Sequence, residues 1–311
     1  MDREKNSIMR RSIGFLCLLL LPMIAHAEHL FEFGLHGGAA GWSTQTIYVN
    51  KQLGYHAGAQ LCYTYLSPRV IGFRTGVMAD NHHAGFGKTD YEDSYSTIDV
   101  ENQLMEIDYS IGLLNETYSI WSVGVPLQVV FSKKNVLFLV GAKATFPLAN
   151  SWKQTVDQAA LSVYYPDYDN RVYESYPLAA SRDFSMRNTG QLTMPKVQWW
   201  LSMELSYAIP LNTWATKYRS YLLVGAYFDY CFTPYKPSQS NAESLIMLSD
   251  TRDGFPLQRL LTPVMEANRQ ERKLVSNAKL LDFGIKISYA ISPYDAHRGV
   301  GRACNCLQED W

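Results

Sequence analysis

Between residues 80 and 93 the chain gathers Asp80, His82, His83, Asp90, Glu92 and Asp93, residue types that hold divalent ions or move protons. They fall in a Gly-rich, acidic stretch that reads as a loop. There His82 and His83 could bind a divalent ion, but solvated side chains are the ordinary outcome. No catalytic residue, metal ligand or cofactor is assigned from this stretch, and the expectation is a protein that is not an enzyme. The cysteines point the same way. Cys62 and Cys231 fall near opposite ends of their segments, beyond the ~7 Å that a disulfide spans. Cys304 and Cys306 are separated by a single residue, so a bridge between them would be strained.

The elements that position these residues begin after an export segment. Arg3, Lys5, Arg10 and Arg11 precede the apolar run 13–24, which ends in Ala25-His26-Ala27. That order is a cleaved secretory signal over 1–27, too short to span a membrane. The remaining chain carries 24 basic against 27 acidic residues. Such a balance argues against nucleic acid as a partner. No later stretch approaches the ~18 apolar residues of a membrane helix. The whole chain is 47% hydrophobic and 13% aromatic, with 21 Tyr, yet only 18% charged, below the usual quarter.

Periodicity explains that composition. In 51–66, Leu53, Tyr55, Leu61, Tyr63 and Tyr65 alternate with Gln52, His56, Gln60 and Thr64. In 117–132, Trp121, Val123, Val125, Leu127, Val129 and Phe131 alternate with Ser122, Gly124, Gln128 and Ser132. In 194–208, Trp199, Leu201, Met203, Leu205 and Tyr207 alternate with Gln198, Ser202, Glu204 and Ser206. Strict alternation gives strands with one apolar and one polar face. Segments 29–41, 68–80, 135–147, 218–234 and 277–292 behave alike. Eight strands, each with the ~9–11 residues that cross a bilayer, predict an all-β fold: an eight-stranded antiparallel transmembrane β-barrel over 28–292. A periplasmic tail follows over 293–311.

Connections alternate in length, short at 67–68, 133–134 and 211–217 and longer at 42–50, 81–116, 148–193 and 235–276. This matches short periplasmic turns and long extracellular loops. Segment 103–113 also alternates, Met105, Ile107, Tyr109 and Ile111 against Leu104, Glu106 and Asp108. A wall strand there would break the parity, so it is expected to extend the fourth strand above the membrane. Leu260, Leu261, Val264 and Met265 suggest one face of a short helix, interrupted by Pro263.

Strand parity then places a polar and charged network in the lumen: Glu32, His36, His56, Gln60, Arg74, Lys143, Lys196, Glu204, Arg219, Asp229, Asp282 and Lys286. An eight-stranded barrel is just filled by side chains, and buried charges must be matched. A plugged, ion-paired interior therefore outweighs a narrow, porin-like channel. Aromatic girdles at the two interfaces are expected from Tyr63, Tyr65 and Phe131 at one end. Trp199, Trp200, Tyr230, Phe232 and Tyr235 would form the other.

The last strand reads Asp282-Phe-Gly284-Ile-Lys-Ile287-Ser-Tyr289, and Pro126 lies in a strand that turns at Lys133-Lys134 into Val136–Phe146. With these features residues 28–292 resemble the small eight-stranded outer-membrane β-barrel proteins, the OmpA-like β-barrel domain. The resemblance implies an integral outer-membrane location in a Gram-negative cell envelope. It also implies Asp282, Gly284, Ile287 and Tyr289 as the signal read by the outer-membrane assembly machinery. Omptin-type proteases use Asp and His pairs on ten-stranded barrels, and lipid A deacylases use His and Ser at the rim; neither motif is reproduced here. A structural or interaction role is expected. Its partners would be outer-membrane lipid and lipopolysaccharide, with a protein partner engaged through the Tyr-rich extracellular loops.

Overall fold

The computed structural model describes residues 28–46, 49–67, 71–98, 102–168, 170–172, 184–191, 194–211, 218–235, 264–265, 271–272 and 275–293. The expected export segment 1–27, the tail with Cys304 and Cys306, and the Tyr-rich run 173–183 lie outside them. Eight long strands dominate: β1 (Glu28–Thr46), β2 (Asn50–Leu66), β3 (Ile71–Ile98), β4 (Leu104–Lys133), β5 (Val136–Tyr165), β6 (Gln198–Pro210), β7 (Tyr218–Cys231) and β8 (Val275–Pro293). Each pairs antiparallel with the next, and β8 pairs back onto β1 from Phe31↔Ile291 to Thr46↔Val275. The ladder is a closed ring of eight.

Alternation in the sequence becomes alternation in burial. Along β4, Trp121, Val123, Val125, Leu127, Val129 and Phe131 are exposed, whereas Ser122, Gly124, Pro126, Gln128, Val130 and Ser132 are buried. The exposed apolar stretch on β4 matches the span of a tilted strand crossing a bilayer. It continues round the ring through Phe31, Phe33 and Leu35 on β1, Ile71, Phe73 and Val77 on β3, and Ile285, Ile287 and Ile291 on β8. A continuous exposed apolar belt of this kind belongs against an apolar partner or lipid rather than water. Pro126 fits because the β3–β4 ladder skips from Thr75↔Leu127 to Met78↔Gly124, leaving no bond for the N–H that proline lacks.

Strand lengths divide the molecule in two. Strands β6 and β7 have 13 and 14 residues, whereas β3, β4 and β5 have 28, 30 and 30. The excess forms a three-stranded sheet standing beyond one rim, paired from Thr89↔Leu113 to Ile98↔Leu104 and from Leu113↔Asp157 to Glu106↔Tyr164. Short strands Phe184–Gly190 and Asn170–Val172 extend it along β5. Segment 103–113 is thus the upper part of β4 and not a ninth wall strand.

Three expectations are corrected here. Residues 81–98 and 148–165 are strand rather than loop, and β1 runs to Thr46, so the first connection shrinks to 47–49. Val264–Met265 pairs with Glu271–Arg272 as a two-stranded ladder and is not part of a helix, while Leu260, Leu261 and Pro263 lie outside the described residues. Burial parity also changes sides above the rim. On β4 the buried set passes from Leu114, Glu116 and Tyr118 to Met105, Ile107, Tyr109 and Ile111. On β3 the change brackets Asp90, whose φ of 51° kinks the strand.

Candidate functional site

The barrel interior is layered. At the rim with short turns, Leu30, Leu66, Val130, Leu137, Leu139 and Leu223 form an apolar plug. At the rim with the tall sheet, Trp42, Phe86, Tyr118, Trp200, Tyr235 and Leu280 form a second plug, with Trp42 stacked on Phe86 and T-shaped to Tyr118. Between them lies a charged layer whose side chains come from all the wall strands through their inward parity.

Arg74 on β3 is the centre of the lower half. Its Nη2 donates to Glu32 Oε1 at 2.6 Å and its Nη1 to Glu204 Oε2 at 2.8 Å. Lys286 Nζ donates to both Glu204 oxygens at 2.7 Å and lies 3.0 Å from Glu32. Gln60 and Ser206 donate to the remaining faces of the two carboxylates. Two acids and two bases form a closed, neutral group. Beside it Lys143 Nζ donates to Asp229 Oδ2 at 2.6 Å and sits 5.4 Å from the Trp200 ring.

The upper half is built from histidine and aspartate. Across β1, β2 and β3 the register runs His36↔Gly58↔Asp80, and one level higher Gly38↔His56↔His82. Gly58 makes the first row work, because a Cβ there would occupy the space in which His36 Nε2 meets Asp80 Oδ1. That contact is 2.8 Å. His56 Nε2 lies 3.5 Å from the same oxygen, while its Nδ1 is bonded to Tyr227 Oη at 2.8 Å. His82 Nδ1 lies 2.9 Å from Asp282 Oδ2, and its ring stacks between His56 at 4.5 Å and Trp200 at 5.3 Å. Two sets have metal-ligating geometry, His36–His56–Asp80 and His56–His82–Asp282, the atoms of each lying within 4.8 Å of one another.

One small cavity adjoins this layer. Lying against His36, Gln60, Lys143, Tyr227, Asp229 and Lys286, it leaves about 20 Å³ for the centre of a water molecule, room for roughly one.

Of the lumen set expected from parity, Glu32, His36, His56, Gln60, Arg74, Lys143, Glu204, Asp229, Asp282 and Lys286 are buried together. Lys196 is not among them: it is exposed at a bend two residues before β6 begins, where parity has no meaning. Arg219 is half-buried near the short-turn rim, opposite Ser292. Asp80 and His82, expected in a loop, are lumenal and fully buried; His83 faces outward and stacks on Tyr55. Trp200 and Tyr235 belong to the upper plug rather than to an outer girdle, whereas Trp199 and Phe232 are exposed. In the last strand Asp282 points inward and Ile287 and Tyr289 face out.

The architecture is that of an eight-stranded antiparallel β-barrel. Solved structures similar to it include Ail, the attachment invasion locus protein of Yersinia pestis, at 10% identity and a TM-score of 0.24. That match covers 85% of this chain and 98% of the other. The same protein in complex with the heparin analogue sucrose octasulfate matches at 11% identity and a TM-score of 0.22, covering 84% and 97%. Neither a family model nor a curated protein sequence matches the chain.

Proposed function

We propose that the protein is an integral outer-membrane barrel of a diderm bacterium that works as a closed anchor. Its tall β3–β5 sheet presents a contact surface outside the cell. The observation that carries this reading is the double plug: apolar side chains close the lumen at both rims, over a buried charged layer. A conducting pathway needs continuous water, so the interior acts as structural glue and the working surface lies on the sheet. At its tip Ile98 pairs with Leu104, and both are exposed. Residues 1–27 serve export, Asp282, Gly284, Ile287 and Tyr289 serve assembly, and the apolar belt meets outer-membrane lipid beside lipopolysaccharide.

Planar bilayers test the closed anchor. Reconstituted full-length protein is expected to give no unitary current steps; reproducible steps would move the assignment to a narrow channel. Whole cells displaying the protein, with and without the tip hairpin, test the contact role by adhesion to surface glycan and protein panels. Equal adhesion in both would refute it.

A further inference from the structure

Among the described residues the charged layer holds five carboxylates, Glu32, Asp80, Glu204, Asp229 and Asp282, and three permanent cations, Arg74, Lys143 and Lys286. Arg74 and Lys286 are shared between Glu32 and Glu204, and Lys143 is taken by Asp229. Asp80 and Asp282 are left facing imidazoles. Asp282 is moreover the direct cross-strand neighbour of Asp229, a like-charge pairing that costs stability. Buried carboxylates without a matching charge are expensive. The layer therefore lacks two positive charges, and it lacks them where three histidines converge.

We propose that this lumen binds one divalent transition-metal ion of the zinc class through His36 Nε2, His56 Nε2 and Asp80. Two imidazoles and a carboxylate are a zinc-type donor set, usually completed by water. Bonds of ~2.0–2.1 Å place tetrahedral donors about 3.3 Å apart. His56 Nε2 and Asp80 Oδ1 already stand 3.5 Å apart, and the 2.8 Å between His36 and Asp80 need open only slightly. The Tyr227 contact fixes the His56 ring through Nδ1, as an outer-sphere partner of a ligating histidine does. His56 Nε2, which faces Asp80 Oδ1, and Asp80 Oδ2 are buried with no hydrogen-bond partner among the described residues, so donor atoms of the proposed ligands are unspent. The small cavity lined by His36 has room for the water that completes the coordination.

The competing way to supply two charges is to protonate two imidazoles. His36 and His82 would be the pair, each beside its own aspartate. His82 would then carry a charged N–H at Nε2 with no partner among the described residues, whereas His36 carries its Nδ1 proton in either case. A dication held by Asp80 brings the net charge of the layer to zero with all three rings uncharged. Because the plugs cover both ends, the ion enters as the barrel closes, and binding is coupled to folding.

The test refolds the full chain into detergent from chelator-treated denaturant, with or without Zn²⁺ or Co²⁺, and measures metal in the folded fraction after gel filtration. The expected result is one ion per folded chain, visible ligand-field bands with Co²⁺, and a higher unfolding midpoint with Zn²⁺. Asp80→Asn and His56→Gln should weaken binding at least ~100-fold, while His83→Gln, on the outer face, should bind as wild type. Folded wild type without stoichiometric metal would overturn the proposal, as would full binding by Asp80→Asn and His56→Gln. Heat-modifiable migration on gels identifies folded variants. Should the ligand variants not fold, the wild-type Co²⁺ spectrum decides, because a site of two imidazoles and a carboxylate has bands that adventitious surface binding lacks. Two imidazolium rings seen by ¹⁵N NMR in metal-refused protein would assign the missing charge to protons instead.

Discussion

Arg74→Met removes the cation that joins Glu32 to Glu204 while keeping an unbranched chain of similar reach. The native group is two carboxylates against two bases, with Arg74 contacts of 2.6 and 2.8 Å. After substitution Lys286 alone faces both acids. Each lost charge contact is worth ~4 kcal/mol at ~4 Å and an effective dielectric near 20. Relief from burying the guanidinium offsets part of the two, and breaking a buried pair from one side nets about 3–5 kcal/mol. Equilibrium urea unfolding in lipid vesicles, followed by tryptophan fluorescence, reads this as a more than ~100-fold shift in the unfolding constant. Arg74→Met with Glu204→Gln leaves Lys286 matched one-to-one with Glu32 and should recover most of the loss. A single variant within about 1 kcal/mol of wild type would refute the reasoning. So would a double variant no more stable than the single.

Gly58→Ala should cost ~1–3 kcal/mol in the same assay, since its Cβ meets the His36–Asp80 contact and the Ala79 carbonyl oxygen at 2.7 Å. Ser96→Cys, on the exposed face of β3, should react with an impermeant maleimide on intact cells; Lys134→Cys, in the two-residue turn, should react only after the outer membrane is permeabilised. The reverse pattern would invert the proposed orientation. Joining β3 to β4 below the Tyr91↔Ile111 pair should leave the barrel folded and heat-modifiable, because the ring pairs beneath that level. A truncated chain that fails to fold would show that the sheet is part of the barrel's stability.

Strand count, the inward set and the place of segment 103–113 were legible because lipid on one side and a polar interior on the other make period two visible. Legibility ended where the lipid does. Asp80 and His82 carry the same inward parity as Arg74 and Met78, so continuing the alternation would have found them. Their outward neighbours Asn81 and His83 are polar, however, and the strand read as finished. Above the rim the outer face meets water, so its residues need not be apolar. The buried face also switches sides near Asp90, which no alternation rule anticipates. Lys196 failed for the complementary reason: it precedes β6, and a residue outside a ladder has no inward side. Trp200 is inward by parity with Gln198 and Ser202, but its size and position near a strand end made it look like a girdle ring.

The closed lumen and its missing charge are one physical problem. In the proposed membrane setting lipid surrounds the wall, and the two apolar plugs cover both ends, so the charged layer is screened from solvent on every side. In a water-filled barrel Asp80 and Asp282 would be hydrated and their imbalance would cost little. Here hydration is withheld by Leu30, Leu66 and Val130 below and by Trp42, Phe86 and Trp200 above. Each carboxylate must then be matched from within. Arg74, Lys143 and Lys286 match three, and the histidines supply donor atoms for what matches the rest. The better sealed the anchor is, the stronger the case for a cation among His36, His56 and Asp80. A lumen open enough to conduct would remove the need for one.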